Sequence, residues 1–549
     1  MKLILIFLFF TNAFIYAQLE SISIDNSVYP FLRQMKIQNI ISEYNDNKIP
    51  LSREDILKYL SAIEINKDKL SSQELDFFYK LKNKFNPETA PEELLKDLPE
   101  TFFNKIISSN NKDFFFYKDS IFNLKANPFF GLEYIYSSQN KNNANLYNIG
   151  GNVTVNYKGW LGFYIQGSNG MVSGNREIAL IEKIIKQSFT FNHTKINYFD
   201  NTEGYLKIKN DLFKIELGRE RFQFGNGLIN KFIISDNTQP FDFISLDLQY
   251  KFLTYNYFHG SLVQKPIIYS ADTISGSGAI EYLPFSKYIA FSRFGVNIDN
   301  FNCGIGQIII YSKRPFDLAY LNPFLFWESA QRSLNDLDNS FLSFDFTYSL
   351  ISGAELNGSL MLDDFIFSKL VKNWDNIQNR YAFTSGVGLT YPLLPRNMFF
   401  AFEYNQVRPY MYSHPGGGES LTYTNNGYLL GLPILPNSIQ LNFQLSYKFC
   451  KNLDMRLDYF YNLHGNNITD SLGNVLRNVG GDVLKNINWF SSPIAPLLDG
   501  ELVKTQSLSL NIAFEPIYYL YLNLDYNILS SNSSHLDHLV KCSFSYNIE

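Results

Sequence analysis

Residues 439–449 read IQLNFQLSYKF. Ile439, Leu441, Phe443, Leu445, Tyr447 and Phe449 alternate with Gln440, Asn442, Gln444, Ser446 and Lys448. Neighbouring side chains on a strand point to opposite sides, so the segment has one apolar and one polar face. The same period returns in 520–528 (LYLNLDYNI) and 540–548 (VKCSFSYNI). Shorter cases are Ile244-Leu246-Leu248, Phe344-Phe346-Tyr348, Leu356-Gly358-Leu360-Leu362 and Leu508-Leu510-Ile512-Phe514. A soluble sandwich or a solenoid also alternates, but three features favour a membrane barrel. The pattern runs from about residue 120 onward. Its segments are ~10 residues long, enough for a tilted strand to cross lipid, and Tyr and Phe crowd their ends as they do at bilayer interfaces. Lipid offers nothing to an exposed strand edge, so the sheet must close. Roughly 430 residues at ~24 per strand and connection give about 18 strands, and an even number puts both ends of the wall in the periplasm. The expected fold class is all-β transmembrane: a closed antiparallel outer-membrane β-barrel of about 18 strands, preceded by a small periplasmic α-helical bundle.

Composition agrees. The 549 residues include 50 Phe and 37 Tyr, with aromatics at 17% and charged residues at only 18%. Disordered chains lack aromatics. Beyond the N-terminus no apolar run approaches the ~18 residues of a spanning helix. A net charge of −5 gives no basis for nucleic acid as a partner. Lys2, the apolar run LILIFLFF, a polar break at Thr11-Asn12 and Ala17 before Gln18 read as a secretory signal peptide over 1–17. Cys303, Cys450 and Cys542 are odd in number and far apart, so they are no disulfide framework.

The stretch after the signal peptide has a helical period. Val28, Phe31, Leu32 and Met35 share one face. Ser52 with Asp55, and Ser71 with Glu74, form capping-box patterns ahead of Ile56-Leu57-Leu60-Ile63 and Leu75-Phe78-Leu81-Phe85. Pro87 closes the third helix, and APEELLKDL (90–98) is a candidate fourth. The expected organisation is a signal peptide at 1–17, a periplasmic helical bundle at 18–105 and the barrel at 106–549. The bundle is a plug, a docking surface for periplasmic export machinery, or simple packing.

Several segments are more distinctive than alternation: LGRERFQFGNG (217–227), ISDNTQPFD (234–242), YLNPFLFWE (320–328), LDNSFLSFDF (337–346), LNGSLMLDDF (356–365), VRPYMYSH (407–414) and GLPILPNS (431–438). With YPFLRQMKIQNII (29–41) and PLSREDILKYL (50–60), this ordered set resembles the Wzi family of capsule-assembly outer-membrane proteins. The resemblance covers nearly the whole mature chain. It implies a barrel of about 18 strands with a periplasmic helical bundle, acting as an outer-membrane lectin that tethers capsular polysaccharide or exopolysaccharide rather than as an enzyme.

The residues themselves leave alternatives open. Arg219 and Arg221, read as sharing a strand face, can meet anionic groups of an acidic polysaccharide or lipopolysaccharide phosphates, or pair internally with Glu216 or Glu220. Asp363 and Asp364 are strand neighbours facing opposite sides, hence no catalytic dyad. Asp363 lines the lumen and binds sugar hydroxyls, or is structural. In VRPYMYSHPGGGE, Tyr410 and Tyr412 can stack on pyranose faces and Arg408 and His414 can donate hydrogen bonds, with Gly416 to Gly418 as a flexible tip. The alternative there is an aromatic girdle with a mobile loop. Trp327 with Asn322 and Glu328 is a second aromatic–polar cluster. The glycines Gly218, Gly225 and Gly227 precede no GK[ST], so they read as a strand end and tight turn. His535-x-x-His538 lacks further metal ligands. HExxH, GxSxG and Walker A motifs are absent, and the sequence points to no cofactor or metal. The leading function is non-enzymatic surface polysaccharide binding. A passive pore or uptake channel is the alternative, followed by an outer-membrane lipase or acyltransferase.

Overall fold

The computed structural model describes residues 18–85, 113–139, 141–190, 198–264, 268–271, 280–282, 286–336, 338–363, 374–415, 418–485, 487 and 492–548. The expected signal peptide, the fourth helix at 90–98 and the boundary at 105/106 lie outside those residues. Eighteen strands form a closed antiparallel ring. They are β1 (Phe122–Ser137), β2 (Asn142–Tyr157), β3 (Leu161–Gly174), β4 (Tyr198–Lys209), β5 (Phe213–Arg219), β6 (Asp242–Tyr250), β7 (Leu253–Leu262), β8 (Lys287–Ile298) and β9 (Phe301–Ser312). The second half comprises β10 (Asn339–Ile351), β11 (Ala354–Asp363), β12 (Tyr381–Leu389), β13 (Met398–Val407), β14 (Ser438–Cys450), β15 (Leu453–Asn466), β16 (Glu501–Ile517), β17 (Leu520–Ser531) and β18 (Ser534–Asn547). Each strand pairs with its sequence neighbours, and Leu539–Asn547 of β18 pair with Ser137–Phe129 of β1 to close the wall. Two short strands, Phe115–Lys118 and Phe189–Thr190, lie alongside β1 and β4 without joining the ring.

Connections differ between the two ends. At one end they are tight, as at 158–160, 251–252, 299–300 and 518–519. At the other they include the long segments 220–241, 313–338, 408–437 and 467–500.

Burial is inside-out relative to a soluble protein. Outward-facing Ile149, Leu217 and Ile305 are 69%, 58% and 49% exposed, whereas inward-facing Asn357, Asp345 and Glu403 are buried, Glu403 completely. Each strand's apolar face forms the outer surface and its polar face points in, the arrangement that lipid outside and protein inside require.

What fills the interior begins with the helical head. Helices α1 (Val28–Ile37), α2 (Arg53–Ile65) and α3 (Ser72–Phe85) bury Val28, Leu32, Met35, Ile56, Ile63 and Phe78 in a shared core. Both helix starts are capped, and the second closes as a reciprocal box. Ser52 Oγ accepts from the Asp55 amide at 3.3 Å, while Glu74 accepts from the Ser71 amide at 2.7 Å and donates its own amide to Ser71 Oγ at 3.2 Å. The head enters the tight-turn end. Lys36 pairs with inward-facing Glu355 at 2.9 Å, Lys80 with Glu515 at 2.5 Å, and the Gly353 amide donates to the Ile37 carbonyl at 2.8 Å.

From the opposite end, segment 220–241 turns inward and meets the head. Lys48 and Ile49 pair as a two-residue antiparallel ladder with Phe224 and Gln223. Beside them Arg293 grips Asp345 through Nε at 2.7 Å and a terminal nitrogen at 2.6 Å. Asp345 Oδ1 also accepts from Asn226 at 3.0 Å and from Asn47 at 3.4 Å. One carboxylate thus joins two wall strands, the inward loop and the head. Removing it leaves the Arg293 charge buried and unpaired, a change that typically costs about 3–5 kcal/mol. In detergent, Asp345→Ala is expected to lower the unfolding free energy by about that amount, read from the denaturant midpoint. A shift below ~1 kcal/mol contradicts this role.

Candidate functional site

Segment 408–437 follows β13 and folds into the long-loop mouth. Met411, Tyr412, Tyr423, Leu430, Leu432 and Ile434 pack with Phe222, Phe224 and Ile233 of the other inward loop and with the inward-facing Phe258, Phe291, Ile308, Met361 and Val407. Two buried charges fix these loops. Lys287, the first residue of β8, donates to the Thr424 carbonyl at 2.8 Å and the Glu419 carbonyl at 3.2 Å. Glu403 on β13 accepts from the amides of Leu228 at 2.5 Å and Ile229 at 3.0 Å.

The structure brings five of the nine candidate site residues to this mouth. Asp363, the last residue of β11, faces inward as the alternation requires. It pairs with Arg380 at 3.2 Å and accepts from the Tyr412 amide at 3.2 Å. Arg380 also donates to the Ser413 carbonyl at 2.8 Å. Tyr412 stacks on Tyr423 with centroids 5.6 Å apart, and Tyr423 donates to the Ile233 carbonyl at 2.9 Å. Tyr410 donates its hydroxyl to the Asn478 carbonyl at 2.7 Å. Tyr410 and Tyr412 adopt left-handed φ of 60° and 74°, sparsely populated for such side chains, so the segment is held by its contacts. Arg408 is buried and donates to the carbonyls of Ala495 at 3.0 Å and Trp374 at 3.2 Å, with Asp375 at 3.3 Å. His414 is the part-exposed end of this run. Arg408, Tyr410 and Tyr412 therefore bind the loop into the mouth instead of standing on a mobile tip. Gly416 and Gly417 of that tip, and Asp364, lie outside the described residues.

The other four lie elsewhere. Arg219 and Arg221 do not share a face. Arg219 sits on the outside of the wall, paired with its cross-strand partner Asp242 at 2.9 Å. β5 has ended before Arg221, which reaches Asp25 of the head at 2.8 Å and Glu203 at 3.6 Å. The expected partners Glu216 and Glu220 give way to these. Asn322 and Trp327 lie on segment 313–338, which folds back over the outer face of β7–β9. There Trp327 is fully buried with Tyr257, Ala290, Ile309, Tyr311 and Tyr320. The Trp327 amide donates to Gln307 Oε1 at 3.0 Å, Gln307 donates to the Leu325 carbonyl at 2.8 Å, and Tyr257 donates to the Tyr320 carbonyl at 3.1 Å. The fold-back satisfies polar groups that lipid would leave bare, and a sugar cannot stack on Trp327 here. Asn322 is exposed, and its side chain accepts from the Phe324 amide at 3.1 Å. His538 lies within β18 and bonds Tyr526 at 2.7 Å.

A solved structure of similar fold is that of Wzi from Escherichia coli, an outer-membrane protein involved in group 1 capsule assembly and described as a carbohydrate-binding β-barrel. The match has a TM-score of 0.58 at 14% identity, covering 96% of this chain and 99% of that one. The fold is that of an outer-membrane β-barrel. OpdK with vanillate, from Pseudomonas aeruginosa, matches at TM-score 0.43 and 9% identity over 77% of this chain and 98% of its own. OprD from the same organism matches at 0.40 and 11% over 77% and 94%. No family model matches the chain, and no curated protein matches it.

The residues that lock the interior carry a fainter signal in the sequence. Asp345 belongs to LDNSFLSFDF (337–346), and Lys125, Arg293 and Glu403 each occupy an inward position of an alternating strand. A charge at such a position is that signal. At the start of the described chain, Glu20 forms an ion pair with Arg53 at 2.7 Å and accepts from Lys125 at 3.2 Å and Asn156 at 3.0 Å. A polar cavity of about 100 Å³ remains beside it, bordered by Tyr164, Glu203 and Arg221. Burial pushes the Glu20 carboxyl up, but Lys125 and Arg53 outweigh it and hold it down at about 2. Burial likewise raises Asp46, and Arg33 and Lys231 more than reverse it. Burial lowers the Lys231 ammonium to about 8, with Asp46 restoring only part.

A carboxyl depressed in the docked head binds fewer protons there than in the free head. Its stabilisation is therefore complete above its ordinary value of 4.5 and is lost as pH falls towards 2. Glu20→Gln should lower the thermal midpoint above pH 4.5, and the gap from the unsubstituted protein should narrow steadily towards pH 2. A gap that stays constant over that range contradicts the ion-paired state.

Proposed function

We propose that the chain is a non-enzymatic outer-membrane protein that binds capsular polysaccharide or exopolysaccharide and retains it at the cell surface. The tight-turn end and the head face the periplasm, because barrels of this class keep short turns there and long loops outside. The corresponding organisation is an export signal over 1–17, a periplasmic segment over 18–105 and the barrel beyond, with lipid and lipopolysaccharide around the wall and export machinery as the head's candidate partner.

The observation that carries this reading is the Lys48-Ile49 to Phe224-Gln223 ladder, where the head and a long loop meet inside the barrel. An 18-strand wall is wide enough to conduct, and a passive pore has no use for an interior bonded from both ends. Surface retention needs only a rigid platform and loops. Weak contacts repeated along a polymer and across many copies then hold it by avidity. Similarity in fold to a carbohydrate-binding barrel, over nearly the full length of both chains, supports the same reading.

Deleting the gene is expected to move polymer from the cell-associated fraction to the medium with total synthesis unchanged. Unchanged cell association contradicts the proposal, and large steady openings of the purified protein in planar bilayers would favour the channel instead.

A further inference from the structure

The head and inward loops do not fill the barrel evenly. On β6–β13 inward side chains such as Ser245, Arg293, Asn357, Thr384 and Glu403 are buried. On β14–β18 many stay part-exposed, although Asn442, Ser507 and Glu515 are buried. Arg456 and Asp458 keep 51% and 27% of their side-chain surface and Lys541 keeps 28%. Gln444, Asp458, Ser509 and Asn527 lie in register straight across four strands, all part-exposed. Below them α3 closes the tight-turn end: Lys80 pairs with Glu515 at 2.5 Å, and Lys84 donates to the Tyr521 hydroxyl at 2.7 Å. The result is an off-centre channel inside the wall, lined by part-exposed polar side chains and with a floor made by the head.

Its chemistry is specific. Asp458 accepts from Arg456 at 2.8 Å, Gln444 at 2.9 Å and Asn511 at 3.1 Å. Lys541 sits between Glu182 at 2.5 Å and Glu133 at 3.4 Å. Asp525 also faces inward beside Lys541, so both Arg456 and Lys541 are already matched by carboxylates and neither is left to hold a polyanion. What remains on offer is amide and hydroxyl groups, each donor and acceptor at once, as sugar hydroxyls are. Inward-facing Phe460 adds a flat apolar surface for a pyranose ring.

We propose that this channel is a binding groove for a strand of uncharged polysaccharide, the interior subsite of the retention function proposed above, on which it rests. The test uses the full-length protein in detergent and the producing cell's own surface polysaccharide, cut into short fragments and separated into uncharged and anionic fractions. Binding is measured by calorimetry, with heat-modifiable gel migration as the check on folding. Ser509→Trp fills the groove without removing a contact and is expected to abolish binding of uncharged fragments. Asn511→Ala, which removes one donor from Asp458, should weaken it about tenfold. Arg477→Ala, on an exposed loop, should leave it unchanged. Wild-type affinity in folded Ser509→Trp and Asn511→Ala, or preference for the anionic fraction, overturns the groove while leaving surface retention standing. Failure of the unsubstituted protein to bind either fraction also overturns the groove, whereas unchanged cell association of the polymer in the deletion strain removes the retention reading.

Discussion

Hydrocarbon cannot hydrogen-bond a peptide group, and every other feature of this molecule answers to that constraint. Backbone groups are satisfied by closing the ring, with the last strand paired to the first at Leu539–Asn547 and Ser137–Phe129. Side-chain polarity is sorted by the same rule, apolar outward and polar inward. Where the outer face does carry polar groups, at Gln307 and Tyr257, segment 313–338 folds back to meet them. The inner face then needs partners of its own. On β6–β13 the head and the inward loops supply many of them, and on β14–β18 neighbouring strands do, as where Asp458 accepts from Gln444 and Asn511.

That division was only partly legible in the sequence. Alternation in segments such as 439–449 specifies a strand, its length and its two faces, because the period of two is a local property of the backbone. Multiplying such segments led to about 18 strands, and eighteen form the ring. The head's helices were equally readable, since Ser52–Asp55 and Ser71–Glu74 satisfy helix-end amides within four residues of chain. The site was not readable in this way. Arg408, Tyr410 and Tyr412 have the chemistry of sugar contacts, but the contacts they make, with Ala495, Asn478 and Asp363, depend on segments 49 to 87 residues away. Trp327 has the aromatic and polar neighbours of a sugar contact, yet the loop carrying it turns outward over the wall. Arg219 and Arg221 would share a face only if the strand continued, and it stops at Arg219.

The buried charges carry a lesson about such barrels. Glu20, Asp345, Glu403 and Lys287 each bind two separate parts of the chain, and each would be costly if left alone. Inside a wide, water-filled tube no such pairing is needed. A charge at an inward position is therefore weak evidence alone, but becomes informative when the chain supplies a segment able to reach it. Here the head reaches it from one end and segments 220–241 and 408–437 from the other.

The central claim is that these segments meet inside the barrel, and a cross-link tests it most directly. Ile49 and Gln223 face each other in an antiparallel ladder. Such partners are about 4.5–5.5 Å apart at Cα, within reach of a disulfide. With Cys303, Cys450 and Cys542 replaced by serine, Ile49→Cys and Gln223→Cys together should lose both thiols to mild oxidation in intact outer membranes and regain them on reduction. Two thiols that stay fully reactive to maleimide after the same oxidation would mean that the head and the loop do not meet, and that the interior is not closed as described.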